Sequence, residues 1–428
     1  MQLDLAISPP TLVSKSPLTW RDWLCLSLLK GAGPTRLDRL WQYIDVLQAA
    51  LVADSATDLT PPADNTKRFI ARDELDYGLF IKLKWPPEVA RLASDYCLYD
   101  QLSAETTDKL EATLAWLESD QHHLLFKGGE HYPQSLMEIP VPPMMLYVAG
   151  NPQLLSNACL GIVGARRCTG YGRSLAFQFA KQLSQAKITI VSGGATGIDA
   201  AAHEGANACQ QANVCVMGTG LNHLYPSTNV ALFQQILAQG GALVSEYPIM
   251  TRARPNLFPP RNRIISGLSL GILVVEAAQK SGSLISASYA LQHNREVFAV
   301  PGRINDGNST GCHQLIKQGA TLVTEVQDIL NELPESYLAS LQAPPVAAEA
   351  GSMLAKPVSA SEPLSSLAEQ VLVVFEQQSM SEIVAFAQLI DALACATSDL
   401  MQALVELEMY ACIEAVGHGY RRCYVYPD

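Results

Sequence analysis

Between residues 159 and 330, short apolar segments alternate with amphipathic ones, and this alternation restricts the fold more than any other feature of the chain. Runs of strand length occur at CLGIVG, KITIVSG, NVCVMG, GALVSE, LGILVVEA, EVFAVPG and TLVTE. Helical spacing occurs between them, as in RSLAFQFAKQLSQA and NVALFQQILAQ. Strict alternation of strands and helices requires a parallel sheet, in which each helix forms a right-handed crossover between two strands. We therefore predict an α/β fold with a central doubly wound, Rossmann-like sheet, whose ligand site lies at the carboxyl ends of the strands.

The regions on either side of this alternation predict further domains. Apolar spacing in TWRDWLCLSLLK and RLDRLWQYIDVLQAAL predicts short helices near the N-terminus. A later segment, rich in Ala, Pro and Ser, predicts a linker. After it come two or three helices and YACIEAVGHGYRRCYVY, a hairpin, which is the order of a winged helix. We predict an N-terminal helical domain over 1–110, the sheet domain over 111–334, a linker over 335–364 and a winged-helix-like domain over 365–428.

The first two predicted helices are joined by the turn Gly31-Ala32-Gly33-Pro34. Helix, G-x-G and helix in succession resemble a helix-hairpin-helix or SAM-like domain, in which turn amides hold a DNA phosphate. An ordinary capping turn between two helices would have the same residues, so both interpretations remain open.

Charge is distributed unevenly along the chain. The formal net charge of -12 would by itself argue against a nucleic-acid partner. Residues 159–330, however, carry thirteen Lys/Arg and eight Asp/Glu, a net of +5, whereas the remainder has a net of -17. The basic middle therefore suits a polyanionic ligand at the predicted sheet.

The sequence also predicts the compartment. No apolar run approaches the ~20 residues that span a bilayer, and MQLDLAISPP has no basic region followed by an apolar one, as a secretory signal would. The ten cysteines include no C-x-x-C pair and lie mostly in apolar surroundings, which is typical of reduced thiols. We expect a cytoplasmic protein without membrane partners, metal or cofactor.

Four segments rich in glycine or serine follow predicted strands. They are 164–172 (GARRCTGYG), 192–199 (SGGATGID), 218–220 (GTG) and 281–283 (SGS). Glycine lets the backbone approach a ligand, and a helix N-terminus offers unpaired amides. One such loop alone would fit a tight turn, but four at one sheet edge favour a phosphate-bearing ligand. None is a Walker motif, and the first has two arginines where a dinucleotide fingerprint has small residues.

The segment NLFPPRNR places Phe258 beside Arg261, Asn262 and Arg263. An aromatic ring among cations suits single-stranded nucleic acid, because the ring stacks a base while guanidinium groups hold phosphates. A buried ring with solvated arginines would fit the composition equally well.

These segments together resemble the DNA-processing protein A family (DprA, also called Smf). The resemblance is carried by GARRCTGYG, SGGATGIDAAAHEGA, GTGLNHLYP, GGALVSEYP, FPPRNRIISGLSLGILVVEAAQKSGSLISASYALQHNREVFAVPG and GCHQLIKQGATLVT, with YPQSLMEIPVPPMMLYVAG before them. It is dense over residues 120–330. It implies a homodimeric, non-enzymatic recombination mediator that binds single-stranded DNA and loads RecA recombinase onto it during natural transformation.

The resemblance also implies which residues bind DNA. The expected set is Arg166, Gly193, Gly194, Phe258, Arg261, Asn262, Arg263, Ser281, Gly282 and Ser283. In it, Arg166 and Arg263 hold phosphates and Phe258 stacks a base. The family also tends to place a basic residue near Arg254.

Other polar residues leave alternatives open. Asp199 and His203 lie four residues apart, on one face of a predicted helix. They could form an acid/base pair or half of a metal site. Alternatively, Asp199 stabilises the start of the helix and His203 is a structural residue. Glu276 either acts in catalysis, as in nucleotide-cleaving relatives, or positions the SGS loop. His223 and Tyr225 either touch the ligand or support the third loop.

Two further expectations concern the tail and a rival function. The predicted recognition helix, SDLMQALVELEMY, has three acidic residues and no basic one, which favours protein interaction or spacing over DNA binding. The rival is a nucleotide-binding or nucleotide-cleaving enzyme of the lysine-decarboxylase-like Rossmann superfamily. Its P-G-G-x-G-T-x-x-E motif is missing from this sequence.

Overall fold

The computed structural model describes residues 7–8, 17–57, 71–334, 365–376, 384–393, 395, 397–409, 413–416 and 419–422. The chain divides into two compact units, Met1–Ala343 and Pro344–Asp428.

The larger unit is built on one ten-stranded sheet in the order β1-β2-β3-β7-β6-β5-β4-β8-β9-β10. Its strands are β1 (Ile7–Ser8), β2 (His122–Phe126), β3 (Met145–Gly150), β4 (Cys159–Val163), β5 (Thr189–Ser192), β6 (Val214–Val216), β7 (Ala242–Ser245), β8 (Gly271–Val274), β9 (Glu296–Ala299) and β10 (Thr321–Leu322). All pairings from β7 across to β10 are parallel. The predicted α/β fold with a central doubly wound parallel sheet is confirmed, and all seven predicted strands are present.

Helices cover both faces of the parallel strands. They are α6 (Gln134–Met137), α7 (Gly170–Gln185), α8 (Ile198–Ala208), α9 (Val230–Ala238), α10 (Phe258–Leu268), α11 (Ser283–Gln292), α12 (Thr310–Lys317) and α13 (Val326–Leu330). Side chains alternate across β4, so that Ile162 packs with Phe179 of α7 on one face and Val163 with Ile264 of α10 on the other. This two-sided burial explains why the strands are continuous apolar runs.

The strand order creates a crevice beside β4. From β4 the chain moves to β5 on one side and returns later to β8 on the other side. In open α/β sheets, ligands bind outside the carboxyl ends of the strands at such a switch point. The crevice between the loops after β4 and β8 is therefore the expected site.

An antiparallel extension of the sheet was not predicted from the sequence. Strand β3 pairs antiparallel with both β2 and β7, and β1 lies parallel to β2. The N-terminal helices pack on this extension, and Trp23 and Trp41 share one hydrophobic core with Phe126 and Tyr147. These helices are α1 (Trp20–Leu28), α2 (Pro34–Thr57), α3 (Tyr77–Lys82), α4 (Pro87–Tyr99) and α5 (Ala104–Trp116).

Local signals in the sequence account for these N-terminal helices. Thr19 caps α1 in a capping box with Asp22, and Ser103 caps α5. The predicted turn at residues 31–34 does join α1 and α2. A helix-hairpin-helix or SAM-like function for it stays a prediction.

The smaller unit has three helices and a small sheet among its described residues. The helices are α14 (Ser366–Glu376), α15 (Phe386–Leu393) and α16 (Thr397–Met409), and the strands are β11 (Val384–Ala385), β12 (Ile413–Val416) and β13 (Gly419–Arg422). Strands β12 and β13 pair antiparallel, with β11 on the far side of β13. The first two residues of the predicted Gly-His-Gly turn lie outside the described residues, and a winged-helix role stays a prediction.

Candidate nucleic-acid interface

A cavity of about 400 Å³ lies at the switch point. Its walls come from the loops after β4, β5 and β8 and from the start of α10, which are far apart in sequence. Seven of the expected DNA-binding residues line it, namely Arg166, Phe258, Arg261, Asn262, Ser281, Gly282 and Ser283. The cavity therefore brings together a cation, a ring and hydroxyl groups at the edge where a ligand was expected.

Phe258 and Arg166 form a cation–π pair at this cavity. The guanidinium carbon of Arg166 lies 5.6 Å from the ring centroid of Phe258, and Arg166 is exposed. Tyr225, which is 46% exposed, packs against the same ring with a centroid separation of 5.6 Å and an interplanar angle of 50°. Tyr225 thus contacts the Phe258 ring but is not among the residues that line the cavity, and both of its predicted roles stay open.

The third glycine loop sets the position of the Phe258 ring. A Cβ atom on Gly218 would lie 2.6 Å from Cδ1 of Phe258, closer than real Cβ atoms approach any neighbour. Only glycine leaves room for the ring at this point. Phe258, the first residue of α10, is half-buried rather than a core residue.

Arg261 is directed inward and is 4% exposed. One of its terminal nitrogens donates to the carbonyl oxygen of Gly193 at 2.8 Å and also to that of Val216. A Cβ atom on Gly193 would lie 2.5 Å from these nitrogens, which explains the glycine. Burial lowers the pKa of the Arg261 guanidinium, and the charge of Asp199 opposes that change. Arg261 thus connects α10 to the ends of β5 and β6 and also lines the cavity.

Asp199 also lines the cavity, from the first turn of α8. Its carboxylate accepts a hydrogen bond from the backbone amide of Ala195 at 3.4 Å. Burial raises the pKa of this carboxyl group, whereas Arg261 and the backbone amides act in the opposite direction. The side chain holds the second glycine loop at the start of α8.

Arg263 was expected to hold a phosphate, and the structure gives it a protein partner. Its guanidinium lies 2.6 Å from a carboxylate oxygen of Glu246, and both side chains are buried. Arg263 is not among the residues that line the cavity. Gly194 also lies outside the lining, and its carbonyl oxygen accepts from the side-chain amide of Asn229 at 3.0 Å.

The SGS turn has its own hydrogen bonds. The hydroxyl groups of Ser281 and Ser283 lie 2.7 Å apart, and the amide of Ser283 donates to the Ser281 hydroxyl at 3.3 Å. Asn262 donates to the carbonyl oxygen of Gly282 at 3.4 Å, which joins α10 to this turn. Since α11 begins at Ser283, its N-terminal amides lie at the cavity wall, where an anion is stabilised.

Glu276 supports the first loop. Its carboxylate accepts hydrogen bonds from the backbone amide of Thr169 at 2.9 Å and from the Thr169 hydroxyl. That hydroxyl in turn accepts from the amide of Gly172 and caps α7. Glu276 thus stabilises the loop that carries Arg166. The loop that Glu276 was expected to position was the SGS loop.

Of the two candidate histidines, His203 lies in the protein core. His203 is fully buried, and its Nδ1 lies 2.8 Å from the side-chain oxygen of Asn213. Burial lowers the pKa of His203 to about 4. The backbone amide of His223 donates to the carbonyl oxygen of Gly220 within the third loop. Among the described residues, no group of three or more His, Cys, Asp or Glu side chains is placed to hold a metal ion.

Fold and site together define a class of protein, namely a nucleotide-fold protein with a phosphate-compatible cavity and a ring–guanidinium pair at the sheet switch point. The chain belongs to the DNA recombination-mediator protein A family, whose family model matches residues 123–334. The resemblance stated from the motifs is therefore confirmed.

Individual relatives support the same family. DNA processing protein DprA of Bacillus subtilis is 41% identical over 209 residues, covering 49% of this chain and 70% of that protein. Protein Smf of Escherichia coli K12 is 46% identical over 224 residues, covering 52% of this chain and 60% of that protein. The crystal structure of DprA from Streptococcus pneumoniae is 30% identical, with a TM-score of 0.54, and the match covers 71% of this chain and 98% of that one.

Within the part of the chain that the structure describes, no helix combines the length and apolarity needed to cross a membrane.

Proposed function

We propose that this protein binds single-stranded DNA at the carboxyl edge of its sheet. The observation that carries the proposal is the cation–π pair of Arg166 and Phe258 at the cavity. A splayed base offers a flat face to the Phe258 ring, while the guanidinium of Arg166 donates paired hydrogen bonds to a phosphate. A duplex keeps its bases stacked inside, so its bases do not reach the ring.

The division of labour among the arginines follows from their partners. Arg166 is exposed and lies over a ring, so its donors are available to a phosphate. Arg261 donates to backbone carbonyl oxygens and Arg263 is paired with Glu246. We therefore assign the phosphate contact to Arg166 and give Arg261 and Arg263 the task of holding α10, and with it Phe258, in place.

In the cell, we propose a homodimeric cytoplasmic mediator that protects incoming single strands and loads RecA during natural transformation. Support for this wider role comes from membership of the recombination-mediator family. The site is proposed to be non-catalytic, because each acidic group at or beside the cavity has a structural task. Asp199 holds the second loop, and Glu276 holds the first.

A second candidate is the binding of a mononucleotide in the same cavity. The observation in its favour is that the cavity, at about 400 Å³, lies within the range of small-molecule sites. Oligonucleotide competition distinguishes the two functions. A single-strand binder gains affinity as the strand grows beyond one nucleotide, whereas a mononucleotide site does not.

The test is a titration with single- and double-stranded DNA over a series of salt concentrations. We expect preference for the single strand and a log–log salt slope of about -0.7 per phosphate contacted. Arg166→Ala should weaken binding to all single strands alike. It should also reduce the magnitude of the salt slope by about 0.7, the value of one phosphate contact. The matched control is Arg173→Ala, since Arg173 is paired with Glu204 on the surface. Unchanged binding by Arg166→Ala, or equal affinity for duplex, would contradict the proposal.

A further inference from the structure

Exposed cations extend along the carboxyl edge of the sheet well beyond the cavity. They follow β7, β4, β8 and β9 and comprise Arg252, Arg254, Arg166, Arg167, Lys280 and Arg303. None of the six forms an ion pair with any residue in the described part of the chain. Of the six, only Arg166 has a role in the site described above, and Lys280 and Arg303 follow the strands on its β8–β9 side.

The acidic residues of the same loops are already engaged. Glu246 pairs with Arg263, and Glu276 accepts from Thr169. A carboxylate oxygen of Asp306 accepts from the backbone amide of Asn308 at 2.9 Å. The cations of this edge are therefore not neutralised by the carboxylates beside them, and a polyanion lying along the edge would meet mainly positive charge.

Hydrogen bonds connect the loops that carry Arg167, Lys280 and Arg303. The side-chain amide of Asn308 donates to the carbonyl oxygen of Arg167 at 3.4 Å, and the amide of Ala277 donates to the carbonyl oxygen of Asn308 at 2.7 Å. Loops tied in this way keep their cations at the sheet edge, and less ordering is then needed when a ligand binds.

The dimensions of the edge suit an extended strand. Strands β4, β8 and β9 are neighbours, and five steps separate β7 from β9. At about 4.8 Å per step, the edge is roughly 24 Å long. A mononucleotide would fill only the cavity, whereas a single strand of several nucleotides could contact the whole row.

We propose that the bound single strand leaves the cavity on the β8–β9 side, where Lys280 and Arg303 hold its phosphates. The proposal rests on the proposed function and adds a direction and two contacts to it. Both side chains would contact the sugar-phosphate backbone of the DNA, so they add affinity without a preference for base sequence.

The experiment compares wild-type protein with the double variant Lys280→Ala/Arg303→Ala on oligothymidylates of about four and about sixteen nucleotides. For the long strand, we expect the magnitude of the log–log salt slope to decrease by about 1.4, because two contacts of about 0.7 each are lost. The short strand should occupy the cavity alone, so its affinity and slope should stay as in the wild type. Lys280→Gln/Arg303→Gln should reproduce both results, and circular dichroism with thermal melting checks that each variant is folded.

The matched control is Lys181→Ala/Lys317→Ala, which removes the same charge from exposed positions near the opposite edge of the sheet. The proposal is overturned if the long strand responds no more to the Lys280/Arg303 variants than to this control. It is also overturned if short and long strands lose affinity equally. Arg166→Ala, run in parallel, reports on the cavity itself, so a loss there with wild-type binding by the Lys280/Arg303 variants would reject the extended path alone.

Discussion

Phe258 is in contact with a cation, a second ring and a glycine. Arg166 lies over its face, Tyr225 packs against it at a tilt of 50°, and Gly218 leaves room for it. These contacts orient the ring before any ligand arrives, which reduces the ordering cost of stacking a base. They also imply that a base must share or displace the guanidinium that covers the ring.

The first prediction concerns this ring. Phe258→Ala should weaken single-strand binding by about 1–3 kcal/mol, the usual contribution of one stacked base. The salt slope should stay unchanged because no charge is removed, and an abasic strand should lose less affinity than an intact one. Anisotropy titrations at several salt concentrations measure all three quantities.

Phe258→Leu is the matched variant, since it keeps apolar volume at the start of α10 and removes only the aromatic face. It should bind nearly as weakly as Phe258→Ala, with a melting temperature close to that of the wild type. Should the leucine variant bind like the wild type, or the alanine variant chiefly lose thermal stability, the ring would be a packing residue.

At the scale of elements, a buried ion pair joins α2 to the end of β2, beside the hydrophobic core that they share. Nζ of Lys127, just after β2, lies 2.7 Å from a carboxylate oxygen of Asp38 on α2, and both side chains are 7% exposed. The same ammonium lies 5.5 Å from the centroid of the Trp41 ring. Gln42 donates to the second oxygen of Asp38 at 2.8 Å, so both carboxylate oxygens have partners.

The second prediction follows from this burial. Asp38→Ala leaves the Lys127 ammonium uncompensated, and the free energy of unfolding should fall by about 3–5 kcal/mol. Asp38→Ala/Lys127→Met should recover much of that loss because it removes both charges together. Glu105→Ala, which breaks an exposed pair with Lys109, should barely change the melting temperature. Chemical denaturation measures the difference, and similar effects for Asp38→Ala and Glu105→Ala would contradict the assignment.

At the scale of the whole molecule, the exposed cations of the sheet edge and the acidic helix α16 belong to different compact units. The larger unit contains the sheet edge with its exposed cations, whereas α16 of the smaller unit carries Asp399, Glu406 and Glu408 and no basic residue. Phosphates are repelled by such a helix, so we expect the smaller unit to make protein contacts, with Arg421 and Arg422 of β13 as the basic exception.

The third prediction is that a protein shortened to residues 1–343 keeps most of its single-strand affinity. The reason is that every residue proposed to contact DNA lies in the larger unit. Titration of the full chain and the shortened chain at equal salt gives the comparison, with circular dichroism to verify folding. Loss of binding in a folded shortened protein would place part of the site in the smaller unit.

The alternation of strands and helices was enough to predict the sheet and its binding edge. Parallel strands present their carboxyl ends on one side, so loops that begin at residues 164, 192, 218 and 281 had to gather there. The sheet and its edge follow from periodicity and chain direction, which are local properties of the sequence. The expectation that Arg166 and Phe258 belong to one site came instead from the family resemblance.

Only the tertiary structure decided what each side chain touches. Arg261 and Arg263 look as available as Arg166 in the sequence, yet one binds strand-end carbonyl oxygens and the other binds Glu246. The sequence also did not predict that β2 and β3 pair antiparallel, or that Glu276 accepts a hydrogen bond from Thr169. The physical reason is that each of these pairings joins residues distant in the chain, and their partners are selected by packing, which no local pattern records.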